Sequence, residues 1–243
     1  MPSHLVEWPC PPNVRAIFSD RLGGVSQAPF DSFNLGDHVG DARRAVQQNR
    51  VAFQAEMPDQ VCWLKQIHST QVVDASLSGS QMAEADASVS DQPGAVCVVM
   101  TADCLPILLC DKQGRVVAAV HAGWRGLANG IIENTIAKMK VAPKQVMAWM
   151  GPAIGPSAFE VGEEVKQAFV DSHSEAYLAF TPSNKANKYF ADIFMLAEQR
   201  LTQAGLTAVY SERCCTYRSA QQFYSYRREG LTGRMAAAIW LEE

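Results

Sequence analysis

The stretch AVCVVMTADCLPILLCDKQGRVVAAVHAGWRGLANG, residues 95–130, decides the fold. Two apolar runs in it, Leu105–Asp111 and residues 115–121, are built of strand-favouring side chains. Between them Lys112-Gln113-Gly114 suits a three-residue loop with its glycine in a left-handed conformation. An antiparallel hairpin is predicted. With Asp111 facing Arg115, Leu105 falls opposite His121 and Cys104 opposite Ala122, so Cys104 and His121 become diagonal neighbours at the open end. Asp103, next to Cys104, has two readings: it orients an imidazole, or it caps backbone N–H groups. Beyond His121, Gly123 and Gly126 allow a tight turn into residues 127–139, where Leu127, Ile131, Ile132, Thr135, Ile136 and Met139 keep a helical spacing. The N–H groups at that helix start, with Arg125 beside them, are placed to hold a phosphate or carboxylate.

Outward from this hairpin the chain offers further short strands and amphipathic helices. Val14–Ser19, residues 61–68 and 71–73, Ala95–Thr101, Val146–Met150, and residues 208–210 and 236–241 read as strands. Residues 41–57, with Asp41 as N-cap, and residues 160–172 and 192–204 read as helices. Residues 83–87 form a small acidic loop, and the Pro-rich residues 1–13 are expected to lie extended on the surface. Strands arriving as hairpins among helices favour an α+β layered fold with a mixed sheet, in a single domain spanning 1–243. In the irregular segment 20–36, Arg21 and Asn34 either anchor the loop or face a ligand. Arg227, Arg228 and Arg234 near the C-terminus are either a solvated face or an anion site.

The 243 residues are 48% hydrophobic and 19% charged with net charge −4, so no basic footprint argues for nucleic acid. No apolar run approaches a membrane span. The N-terminal stretch lacks a secretory pattern, so a cytoplasmic location is expected, with reduced cysteines. Seven scattered cysteines without CxxC spacing argue against a disulfide framework or a zinc ribbon, and most are expected to be small core residues.

Three readings of Cys104 and His121 compete. A catalytic metal site takes three protein ligands, and His68 is the obvious third, since His4 is in the N-terminal tail, His38 in a loop and His173 after a helix; at a strand end His68 also reads as a hydrogen-bonded structural residue. A cysteine hydrolase would use Cys104 as nucleophile and His121 as base, assisted by Asp103 or Gln66. The third reading is a structural pair. A zinc-stabilised binding module would need a fourth ligand, and Cys110 is about 20 Å along the strand from Cys104. Multicopper electron transfer needs many imidazoles, and five histidines without a His-x-His pair do not supply them.

Trp63-Leu64-Lys65-Gln66-Ile67-His68, Ala85-Asp86-Ala87, Thr101-Ala102-Asp103-Cys104-Leu105-Pro106, His121-Ala122-Gly123-Trp124-Arg125-Gly126, Gly151-Pro152-Ala153-Ile154-Gly155 and Phe223-Tyr224-Ser225-Tyr226-Arg227-Arg228 together resemble the YfiH-type family, also called the laccase-domain or polyphenol oxidase family. The likeness spans nearly the whole chain. It departs at Phe33, Ser69 and Cys214, none of them a candidate ligand. The resemblance implies a cysteine-hydrolase-like fold and a zinc held by His68, Cys104 and His121, although thiolate and imidazole also suit copper. It implies phosphorolysis of adenosine, inosine or methylthioadenosine, with hydrolytic deamination of adenosine. The partners implied are thus a purine nucleoside and inorganic phosphate. A Cys–His amidase acting on a peptidoglycan precursor, or the oxidase of the family name, are the alternatives. Cys104, His121 and Asp103 are the catalytic candidates. Arg21, Asn34, Gln66, Arg125 and Arg227 are the substrate-binding candidates.

Overall fold

The computed structural model describes residues 3–77 and 82–242. In chain order the first half comprises β1 (Ser3–Leu5), β2 (Val14–Ser19), α1 (Arg43–Gln54), β3 (Gln60–Cys62), β4 (Leu64–Lys65), β5 (Val72–Asp74), β6 (Ala83–Glu84), β7 (Ala87–Ser90), β8 (Ala95–Thr101), β9 (Leu105–Asp111) and β10 (Val117–Ala122). The second half comprises α2 (Trp124–Ala128), α3 (Ile131–Met139), β11 (Val146–Met150), β12 (Glu160–Gly162), α4 (Glu163–Val170), β13 (Phe180–Pro182), β14 (Lys188–Ala191), α5 (Ile193–Gln203), β15 (Ala208–Ser211), α6 (Tyr226–Glu229) and β16 (Met235–Leu241). Two large sheets dominate, with orders β1-β2-β16-β8-β3 and β15-β11-β9-β10-β7-β5. Both are mixed: β3 runs parallel to β8, β15 to β11 and β5 to β7, while the other pairs are antiparallel.

The sheets pack face to face, because the central strands are apolar on both sides. In β9, Leu108 and Cys110 face the other sheet, where they meet Cys97 and Val99 of β8 and Ile239 of β16. Leu105, Ile107 and Leu109, at the alternate positions, face the helices with Ile132, Phe169 and Leu196. On the far side Val96, Val98 and Met100 of β8 lie under Phe53 of α1. The order is helix, sheet, sheet, helices, an α+β layered fold as expected. Two-sided burial gives the continuous apolar runs that an alternation test cannot separate from helix. Of the seven cysteines only Cys62, Cys97 and Cys110 are fully buried, fewer than expected, and none of the seven is in a disulfide.

The central hairpin forms, but its register is one residue from that expected: Cys110 faces Val117, Pro106 faces His121 and Leu105 faces Ala122. The cause lies in Asp111. Its backbone N–H bonds to Val116 O at 3.1 Å, its carbonyl accepts from Gly114 N at 3.0 Å, and its carboxylate accepts from the N–H groups of Arg115 and Val116. The loop therefore takes four residues, with Gly114 left-handed at φ 65° as anticipated. Burial alone would raise the Asp111 carboxyl, but the backbone N–H and guanidinium of Arg115 and the N–H of Val116 more than offset this and hold it below its ordinary value. A carboxyl whose folded value lies below the unfolded one stabilises the fold above the unfolded value. That stability is lost as pH falls through the folded value. Asp111→Ala should cost about 2–3 kcal/mol at pH 7 by the worth of charge-assisted bonds. Urea melts should show the difference from the parent shrinking below pH 4, about the unfolded carboxyl value.

Other elements differ from expectation for local reasons. Residues 127–139 are two helices, interrupted at Gly130 with φ 96°. Asp41 does not cap α1, because its carboxylate is taken by Asn34 Nδ2 at 2.9 Å and Ala42 N at 2.7 Å. Glu160–Gly162 pairs with β14 instead of opening α4. In the acidic segment Ala83–Glu84 pairs with Leu64–Lys65. No helix among the described residues is long and apolar enough to cross a membrane.

Candidate active site

The shifted register sets the site. With Pro106 across from His121, Cys104 and His121 share one face at the open end of the hairpin. The strand expected over 61–68 stops at Lys65, and His68 adopts a left-handed conformation with φ 58°. This turn is held by Asp86, whose carboxylate accepts from Ile67 N at 3.3 Å, His68 N at 2.9 Å, and both the N–H and the hydroxyl of Ser69. The His68 ring is thereby brought to Cys104, with Nε2 3.9 Å from Sγ. It meets the His121 ring edge-on, 4.8 Å between centroids. One donor atom each from His68, Cys104 and His121 lies within 4.8 Å of the other two, the one cluster of its kind among the described residues. A Cβ on Gly123 would lie 2.9 Å from His68 Cδ2 and 3.1 Å from Cys104 Sγ, so bare backbone is required there.

Asp86 is fully buried and also accepts from His121 Nδ1 at 2.8 Å, fixing that ring with Nε2 left for the cluster. Burial would raise its carboxyl, but His121 and the Ser69 donors pull it down to about 2. His121 is disfavoured as a cation by burial, yet the Cys104 thiolate and the Asp86 carboxylate raise it above the ordinary imidazole value. Burial likewise disfavours the Cys104 thiolate, while His121 and His68 lower the thiol below its ordinary value. Two imidazoles and an ionisable thiol, with a carboxylate behind one imidazole, fit a three-ligand metal site with an open position. Asp103 has the second of its two expected roles. At φ 93° it accepts from Thr216 Oγ1 at 2.6 Å and Arg227 N at 2.7 Å, so the carboxylate behind the imidazole is Asp86. Spacing does not single out Asp86, since a carboxylate between two alanines looks like any acidic loop.

Above the cluster opens a cleft of about 430 Å³, within the range of small-molecule sites. Gln66, Asp103 and Arg227, three of the sequence candidates, line it. So do Arg234, Tyr226 and Phe159, of which only Arg234 carried an anion-site signal, through its place in the C-terminal arginine cluster. Arg227 lies over the Phe159 ring, and its Nη1 donates to the carbonyls of Ala158 and Glu160. Arg228 is spent on the carbonyls of Thr216, Tyr217 and Phe223.

The other sequence candidates lie outside the cleft lining. Arg21 is tied to the Asp31 and Ala220 carbonyls and to Glu229 at 2.8 Å. Asn34 is buried, bonded to Gly36, Asp41 and Arg234 N. Arg125 is exposed and stacks on Trp124 at the start of the five-residue α2.

Residues 15–242 match the family model described as multi-copper polyphenol oxidoreductase laccase. The chain belongs to that family. Within this laccase-type family it is 50% identical to a purine nucleoside phosphorylase of Pseudomonas aeruginosa, over 98% of this chain and 97% of the other. It is 48% identical to purine nucleoside phosphorylase YfiH of Escherichia coli, over 97% of each. A crystal structure of a Neisseria meningitidis protein superposes with a TM-score of 0.96 at 48% identity, over the whole of both chains. YlmD of Geobacillus stearothermophilus superposes at 0.89 with 28% identity, over 96% of this chain and 93% of that one.

Proposed function

We propose that this laccase-type protein is a zinc-dependent purine nucleoside phosphorylase. It would convert adenosine, inosine or methylthioadenosine and phosphate to free base and a ribose 1-phosphate, with hydrolytic deamination of adenosine as a second activity. The observation that carries this reading is a nucleoside-sized cleft with the His68–Cys104–His121 cluster at its base and two arginines and two aromatic rings on its walls. The names of the relatives support phosphorolysis of a purine nucleoside. Oxidase chemistry with several coppers is less well supported, since the described residues offer a single three-donor cluster.

His68, Cys104 and His121 would hold the zinc, and when bound it supplies Lewis-acid polarisation of a substrate oxygen or water. The protein's own groups account for the rest. Asp86 keeps His121 in the tautomer that presents Nε2. Arg227 and Arg234 place two positive charges on the cleft wall of a chain with net charge −4, which favours a phosphate dianion there. Phe159 and Tyr226 offer aromatic faces for a purine. In the reaction a phosphate oxygen bonds to the anomeric carbon as its bond to the purine nitrogen breaks. The electron pair leaves with the base, which needs a proton.

Purified protein should release adenine from adenosine only when phosphate is supplied, and His68→Ala should remove the activity together with the metal. Chromatography of adenine, inosine and hypoxanthine reads the outcome. Metal-loaded, folded protein giving no free base would sink the proposal.

One observation favours a second reading. Cys104, His121 and Asp86 form a nucleophile, base and orienting carboxylate in series, as amide hydrolysis by a cysteine enzyme requires. It requires turnover of an amide substrate that survives chelation, whereas phosphorolysis here should not.

A further inference from the structure

The leaving purine needs a proton, and most cleft groups are already committed. Gln66 is used at both ends, with Oε1 accepting from Met100 N at 2.7 Å and Nε2 donating to Met100 O at 2.8 Å. Asp103 holds Thr216 and the backbone of Arg227. Arg234 Nη1 donates to the carbonyls of Thr232 and Gly233, both at 3.0 Å. His68, Cys104 and His121 form the donor cluster. His38, Tyr226 and the Thr101 hydroxyl remain, and a phenol or an alcohol is a far weaker acid than an imidazolium.

His38 is carried to the cleft by a loop fastened to the same segment as Arg234. Asn34 Oδ1 accepts from Arg234 N and from Gly36 N, both at 2.9 Å. Gly36 lies so close that a Cβ there would be 2.7 Å from Arg234 Cγ. The far side of the His38 ring has a backing carboxylate: Nδ1 is 3.6 Å from Asp37 Oδ1, which is 3.3 Å from Arg50 Nη2. Nε2 has no hydrogen-bond partner among the described residues.

We infer that His38 is the general acid of the reaction proposed above, giving its proton to a ring nitrogen of the departing purine. The inference rests on the phosphorylase reading. As phosphate oxygen bonds to the anomeric carbon, the carbon–nitrogen electron pair goes to the base and the His38 proton makes the base neutral. Hydrogen phosphate loses its own proton as the ester dianion forms, and through solvent this restores the imidazolium. Partial burial, and the nearby Arg234 and Arg50 charges, lower His38 from its ordinary value against the opposing pull of Asp37, so its cation parts with a proton readily.

The test compares inosine with 7-methylguanosine, whose base is already cationic and leaves without being protonated. For His38→Gln, kcat on inosine should fall by at least about 100-fold, the usual scale of general acid catalysis, while kcat on 7-methylguanosine stays within about threefold of the parent. Equal losses on both substrates would make His38 a positioning residue and overturn the inference alone. An undiminished rate on inosine would do the same. A parent protein inert towards both nucleosides would overturn this inference and the phosphorylase reading together. The His38 side chain is about half-exposed in its loop, so the variant's melting temperature should stay close to the parent's.

Discussion

Asp86→Ala should lower stability by about 3–5 kcal/mol, the cost of breaking a buried charged network from one side, and should abolish metal binding with it. No other carboxylate described here holds so much. It accepts from three consecutive backbone N–H groups, the Ser69 hydroxyl and the His121 ring, and it is fully buried. With alanine, those donors lose their acceptor where water does not readily replace it. The left-handed turn at His68 then has nothing to hold it, so one ligand moves as another loses its tautomer. Asp86→Asn separates the two effects. The amide oxygen retains some of the backbone bonds but supplies no negative charge to His121, so metal affinity should fall by about 10–100-fold with a smaller loss of stability. Thermal melts and metal content after dialysis measure both. A folded Asp86→Ala protein that keeps its metal would mean that neither the turn nor the tautomer depends on this residue.

Gly123→Ala should do the opposite, removing activity while the fold persists. The added methyl would sit 2.9 Å from His68 Cδ2 and 3.1 Å from Cys104 Sγ, inside ordinary contact distance for both. Gly123 has φ −69°, so alanine suits the backbone and the conflict is confined to the ligands. His68 is the group able to give way, since it is on a loop while Cys104 adjoins a central strand. Metal affinity should fall at least about tenfold, as when a ligand's supporting shell is lost, and the proposed phosphorolysis should fall with it. The melting temperature of the metal-free protein should shift by only a few degrees, about 1 kcal/mol. Unchanged metal content would show that the donor atoms have room that the structure does not give them.

Much of this architecture is legible in the chain because it is local. Val14–Ser19, Ala95–Thr101, Leu105–Asp111 and Val146–Met150 form strands over those same residues, each bounded by turn or loop residues that stop them. The helix read over 192–204 forms as α5 within a residue at each end, with Asp192 as its cap, accepting from Met195 N. Asp111 is the instructive failure. A carboxylate that closes its own turn lengthens the loop by one residue, and with a period of two that slip moves every side chain to the other face. The anticipated register put Cys104 near His121 as a diagonal neighbour; the actual one aligns their faces.

By itself, the sequence determined the central strands, the main amphipathic helices and the mixed layered fold, which depend on side-chain type and spacing that any stretch of chain displays. His68, Cys104 and His121 stood out as a group through the likeness to the family, since spacing alone left a structural pair as good a reading. Tertiary structure alone decided which carboxylate stands behind the imidazole and which arginines face the cleft. Asp86 and Asp103 are alike as isolated residues, as are Arg227 and Arg125. What separates them is which backbone donors and walls lie within about 3 Å once distant segments meet, and hydrogen bonds act only over that range.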